Sequence, residues 1–181
     1  MTHDRLDQRT HDRGSDVRLL GDRERNFKRR NDLCSLARAL EVVGTRSALL
    51  LMREAFYGTT RFDDFARRVD ITDAVAATRL KELVGAGLLV REPYQDPGQR
   101  TRFEYRLTEM GRDLLPTALA LQQWGDRYLS PPEGPPTVVE HVDCGAEIKS
   151  EVRCAAGHDV PLTDVRARFV PRPSLDALKS G

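Results

Sequence analysis

The stretch Thr-Arg-Phe-Glu-Tyr-Arg-Leu at 101–107 alternates strictly, with Phe103, Tyr105 and Leu107 as its apolar members. Successive side chains of a strand point to opposite faces, so the pattern predicts a half-buried strand rather than a helix. A second apolar run lies at 88–94, and the intervening Gln-Asp-Pro-Gly-Gln at 95–99 is turn chemistry. Together they predict a β-hairpin. Upstream, the period is helical. Leu33, Leu36, Ala37, Leu40 and Val43 recur at helical spacing and stop at Gly44, a C-cap residue. Residues 48–56 are strongly apolar and end before Gly58, while Phe62, Phe65, Ala66 and Val69 outline a short third helix. Thr72 is the N-cap of a fourth helix, with Asp73 in its first turn and Ala76, Leu80, Leu83 and Val84 on its inner face. After the hairpin, Thr108 caps a long helix through Leu114, Leu115, Ala118, Leu121, Trp124 and Tyr128. Four helices, a hairpin and a long helix, in that order, predict a mainly α winged helix-turn-helix fold with the hairpin as its wing.

Charge and proline divide the rest of the 181 residues. Residues 1–30 carry 9 basic against 6 acidic groups and few apolar ones. Such a head cannot bury enough surface to offset its ordering entropy and is expected to be disordered as far as Phe27. Lys28, Arg29 and Arg30 suit either a solvated flank or a DNA-contacting arm. Residues 31–130 hold the core, with 14 basic and 14 acidic groups, and 131–181 carry 6 against 8. A net charge of +1 therefore supplies no basic domain, so any contact with nucleic acid must come from local positions. Four prolines make 131–136 a stiff linker. Residues 137–181 are expected to form a small β-rich module, with short strands at 137–142, 148–153 and 162–170. No apolar run reaches the roughly 20 residues that span a bilayer, and no signal segment follows the first five residues. A cytoplasmic protein without membrane contact is expected.

Several stretches carry a family resemblance. They are Cys34 with Leu36-Ala-Arg-Ala-Leu40 and Val43-Gly44, then Leu49-Leu-Leu-Met-Arg-Glu54 and Arg61-Phe62. Thr78-Arg-Leu-Lys-Glu-Leu83, Gly87-Leu88, Glu104-Tyr-Arg-Leu-Thr-Glu109, Gly111-Arg112 and Trp124-Gly125 continue the series. On these, residues 32–129 resemble the HxlR-type transcriptional regulators, MarR-like winged-helix proteins of bacteria. Ser47 departs from the pattern, since the family usually has Trp there. The resemblance implies double-stranded DNA as partner and a homodimer formed by the first helix and the long helix 108–129. For Cys34 it implies a sensor of oxidants or electrophiles, while the residue by itself also fits a small apolar contact. The tail resembles an extension of some of these regulators in which His-x-x-Cys-Gly is followed by Cys-x-x-Cys-Gly.

The residues themselves locate the candidate sites. At about 100° per residue, with Ala76 facing inward, Ala74, Thr78 and Lys81 fall on the opposite side of the helix around 72–85. Small and polar side chains there can enter a major groove, where methyls meet thymine methyls and Thr or Lys hydrogen-bond base edges or phosphates. Thr72 belongs to the same surface. In the wing around 95–102, Arg100 and Arg102 flank Thr101 on one strand face and suit phosphates or a minor groove. Arg61 is a further phosphate candidate. Cys34 lies at the start of the first helix, where helix N–H groups stabilise a thiolate.

His141, Cys144, Cys154 and His158 give His-x2-Cys and Cys-x3-His, a donor set that could hold tetrahedral zinc. The other reading is a metal-free module docked on the long helix or a second subunit through Val138, Val152 and Phe169. Gly157, taken as the place of the extension's fourth thiolate, leans towards that reading. No other cofactor is expected. The chain has no P-loop, no Gly-x-Ser-x-Gly and no Gly-x-Gly-x-x-Gly, so an enzyme is not expected. The alternative to a DNA-binding regulator is a winged helix used for protein–protein contact, which the neutral core charge supports.

Overall fold

Three threonines set the frame of the larger unit. Thr45 Oγ1 accepts the Ala48 N–H at 3.2 Å, Thr72 Oγ1 the Val75 N–H at 3.4 Å, and Thr108 Oγ1 the Gly111 N–H at 3.0 Å. Each satisfies an N–H that a helix start would otherwise leave unpaired. The computed structural model describes residues 18–20, 34–95, 98 and 100–168, in two units: 31–150, and the two chain ends 1–30 with 151–181. The Phe27 boundary, the cluster at 28–30, Leu33 and Phe169 lie outside the described residues.

In the first unit, α1 (Ser35–Val43), α2 (Arg46–Phe56), α3 (Phe62–Val69) and α4 (Asp73–Gly85) precede the hairpin. Phe65, Leu51, Met52, Leu80, Leu83 and Leu89 are fully buried and join these helices to the hairpin. The α3–α4 turn passes through Asp70 in the left-handed region at φ 56°, and the Ile71 N–H returns to the Ala66 carbonyl at 3.1 Å. That bond closes the end of α3 and turns the chain sharply into α4. Strands β2 (Leu89–Tyr94) and β3 (Arg102–Leu107) pair antiparallel, with Leu89 opposite Leu107 and Tyr94 opposite Arg102. Residues 60 and 61 add a short third edge: Tyr105 N–H donates to the Thr60 carbonyl at 2.8 Å, and Arg61 bridges to Glu104.

The expected winged helix is therefore present, with four local differences. The long helix 108–129 is broken into α5 (Glu109–Arg112) and α6 (Leu115–Leu129). Pro116 lies in the first turn of α6, where it lacks a donor and its ring would clash with the Arg112 carbonyl of a continuous helix. On β3, Tyr105 packs edge-on against Phe65 with centroids 6.2 Å apart, but Phe103 is 41% exposed instead of buried. The strand starts at Arg102, so Arg100 precedes it and does not share its face by strand alternation. In α1 only Val43 is buried, and Leu36 and Leu40 face away from the core.

The tail differs more. At 137–142 and 148–153 there are no strands. The chain instead makes one bridge, Glu140 with Glu147, around a tight turn. The following arm lies along α6, where the Gln123 side-chain amide donates to the Ile148 carbonyl at 2.5 Å and accepts the Ser150 N–H at 2.8 Å. Val138 and Val152, the expected docking residues, are exposed. In the second unit a similar turn carries the bridge between Arg153 and Asp159. A 3-10 turn (Leu162–Asp164) follows, then β4 (Arg166–Arg168), shorter than the expected strand. β4 pairs in parallel with β1 (Arg18–Leu20), a strand inside the head expected to lack regular structure.

Candidate nucleic-acid interface

Helix α4 buries Ala76, Leu80 and Leu83 and exposes Ala74, Val75, Ala77, Thr78 and Lys81. The inner stripe packs on α2, α3 and β2, so the exposed stripe is held outward by the core itself. Thr72 lies exposed at the N-terminus, its oxygen engaged as the cap. Thr78 Oγ1 donates to the Ala74 carbonyl at 2.9 Å. Arg79 is half-buried and paired with Glu82 at 2.5 Å.

Beside α4, the wing carries Arg100 and Arg102, both exposed. Arg61 is the N-cap residue of α3, and its guanidinium lies 5.0 Å from the Tyr94 ring centroid. Arg61 and Arg102 line one open cavity of about 600 Å³, together with Arg91, Tyr94, Phe103 and the first turn of α3. Arg91 was not singled out from the sequence. Its guanidinium stacks 3.6 Å from the Phe103 centroid and covers part of that exposed ring. Arg91 is opposite Tyr105 and reaches Phe103 diagonally, a contact readable only once the register is known.

Cys34 is the N-cap of α1, half-buried, and its side chain makes no capping bond. His141 Nδ1 and Cys144 Sγ lie 3.3 Å apart in the turn on α6. Cys154 and His158 sit in the turn of the other unit, where the Cys154 N–H donates to the His158 carbonyl at 3.0 Å. Among the described residues, no three His, Cys, Asp or Glu gather as metal ligands.

The two turns also differ in length. In the first, the His141 N–H reaches the Ala146 carbonyl and Gly145, at φ 67°, returns to the His141 carbonyl. In the second, Cys154 reaches only as far as His158, and Gly157, at φ 85°, returns to Cys154. Gly157 thus matches Gly145, the glycine after the donor, and the donor position before it is missing. The second turn is one residue shorter than the first, and Gly157 takes the left-handed conformation that Gly145 takes there.

The family profile described as HxlR-like helix-turn-helix matches residues 42–133. The HTH-type transcriptional regulator Rv3095 of Mycobacterium tuberculosis is 44% identical over 144 residues, covering 79% of this chain and 89% of that one. Among solved structures, PA1607, described as a candidate transcription factor, is 34% identical with a TM-score of 0.67, over 75% of this chain and 94% of its own. PA1374 of Pseudomonas aeruginosa, described in the same way, is 34% identical with a TM-score of 0.55, over 79% and 97%. These likenesses do not favour a winged helix confined to protein–protein contact. With its outward-facing α4 and its wing, the chain belongs to the HxlR-like helix-turn-helix family and is a DNA-binding transcriptional regulator.

Proposed function

We propose that two copies of this chain pair through α1 and α6 and set their α4 helices into the major groove about one turn apart, reading a palindromic operator. The observation that carries this is the exposure of large apolar side chains on those two helices. Leu36 is 68% and Leu40 54% exposed on α1, and on α6 Trp124 is 54%, Tyr128 61% and Leu129 70% exposed. Apolar exposure on this scale marks a protein-binding surface. Thr72, Ala74, Thr78 and Lys81 then meet the groove, and Arg61, Arg100 and Arg102, joined by Arg91, meet phosphates. Cys34, capping one of the pairing helices, is the residue through which an oxidant would act on the dimer.

On this reading the chain works in the cytoplasm by occupying DNA and performs no covalent chemistry on a substrate. Among the described residues no helix is long and apolar enough to cross a membrane. If about 6 phosphates are neutralised per dimer, the log–log slope of affinity against salt is about −5. A titration of the purified protein on duplex DNA measures it, and a slope near zero refutes the proposal.

A further inference from the structure

The outward face of α4 is rich in methyl groups and poor in available donors. Ala74 and Thr78 lie at its centre with Val75 and Ala77 on the flanks, all exposed, Val75 at 41%. The Thr78 hydroxyl proton is directed to the Ala74 carbonyl, which leaves a methyl and oxygen lone pairs for an outside partner. Arg79 carries the guanidinium that could grip guanine O6 and N7, but Glu82 holds it and it is half-buried. Lys81 is exposed but lies seven residues beyond Ala74, away from the N-terminal end that reaches base edges in helix-turn-helix proteins. In the major groove only thymine presents a methyl.

We infer that α4 reads thymine methyl groups through Ala74, Val75 and Thr78, so that each operator half-site presents T·A pairs at the centre of its contact. This rests on the DNA-facing role of α4 proposed above. Specificity then comes from apolar contact, while the wing arginines hold the register.

The test starts with a preferred duplex selected from a random library by the full chain. Each thymine is then replaced by deoxyuridine, which deletes the methyl and leaves base pairing intact. At least one replacement per half-site should lower affinity about fourfold, the worth of one buried methyl. Thr78→Ser, which keeps the hydroxyl and loses the methyl, should erase the sensitivity at one such thymine. Thr78→Val, which keeps a methyl and loses the hydroxyl, should retain it. Indifference to every deoxyuridine, or the two variants in reverse order, overturns the inference, while salt-dependent binding to the same duplexes upholds the proposed function. Absence of salt-dependent binding to any duplex overturns both.

Discussion

Helix α4 buries the stripe Ala76, Leu80 and Leu83 and α6 buries only Leu119, and their exposed faces are opposite in kind. That of α4 is small or polar, with Val75 as its largest apolar member, whereas that of α6 holds Leu121, Trp124, Tyr128 and Leu129. A surface of methyls and hydroxyls tolerates water and can trade it for a groove edge. A surface of Trp, Tyr and Leu gains by being covered, at about 25 cal/mol per Å² removed from water. The contrast is the basis for proposing DNA as the partner of one face and protein as the partner of the other, within one chain and one packed unit.

The comparison breaks most visibly at the apolar stripes. Leu40→Glu combined with Trp124→Glu should convert a dimer into a folded monomer by light scattering. Affinity for a palindromic duplex should then fall by roughly a thousandfold, towards non-specific binding. A double variant that stays dimeric removes the basis for assigning those stripes to protein. Arg102→Ala should act more mildly, weakening all sequences alike and making the salt slope shallower by about one per protomer. If it instead changes which sequence is preferred, the wing reads bases.

Cys34 sharpens the comparison, since it begins α1, one of the two helices proposed to pair. Oxidant should lower DNA binding of the parent chain and leave that of Cys34→Ser unchanged, as followed by fluorescence anisotropy; an equal response in both removes Cys34 from regulation. The smallest effect belongs to Gln123. Gln123→Ala deletes two side-chain bonds to the tail, worth about 1 kcal/mol each. It should speed proteolysis around 148–150 with little change in thermal stability, and an unchanged cleavage rate would mean the tail is held by something else.

The same division governs what could be read in advance. Thr72 and Thr108 were legible as caps, and the alternation at 101–107 as a strand, because those signals are local. Ala74, Thr78 and Lys81 were legible as an outer face because helical geometry orders them from the inner stripe alone. The break at 113–114 had a local signal too, in Pro116, but the unbroken apolar pattern of 108–129 masked it. The edge at 60–61, the stacking of Arg91 on Phe103 and the grip of Gln123 on the tail depend on register between distant segments, which no single stretch reveals. The apolar spacing of α1 is legible as a stripe, but that all of it except Val43 lies outside the core of its own chain is not.

Gly111 joins the two faces. A β-carbon there would lie 2.1 Å from the Leu88 carbonyl oxygen, so α5 rests directly on the backbone at the root of the hairpin. Thr108 tightens the joint, with its hydroxyl 2.6 Å from the Gly87 carbonyl oxygen. The segment leading into α6 is thus seated against the base of the wing with no side chain between them to act as a cushion. If two copies pair through α6 as proposed, a rotation of that helix would reach the base of the wing through backbone contact. On that proposal, the helix that pairs the copies and the wing that holds DNA meet where only a glycine fits.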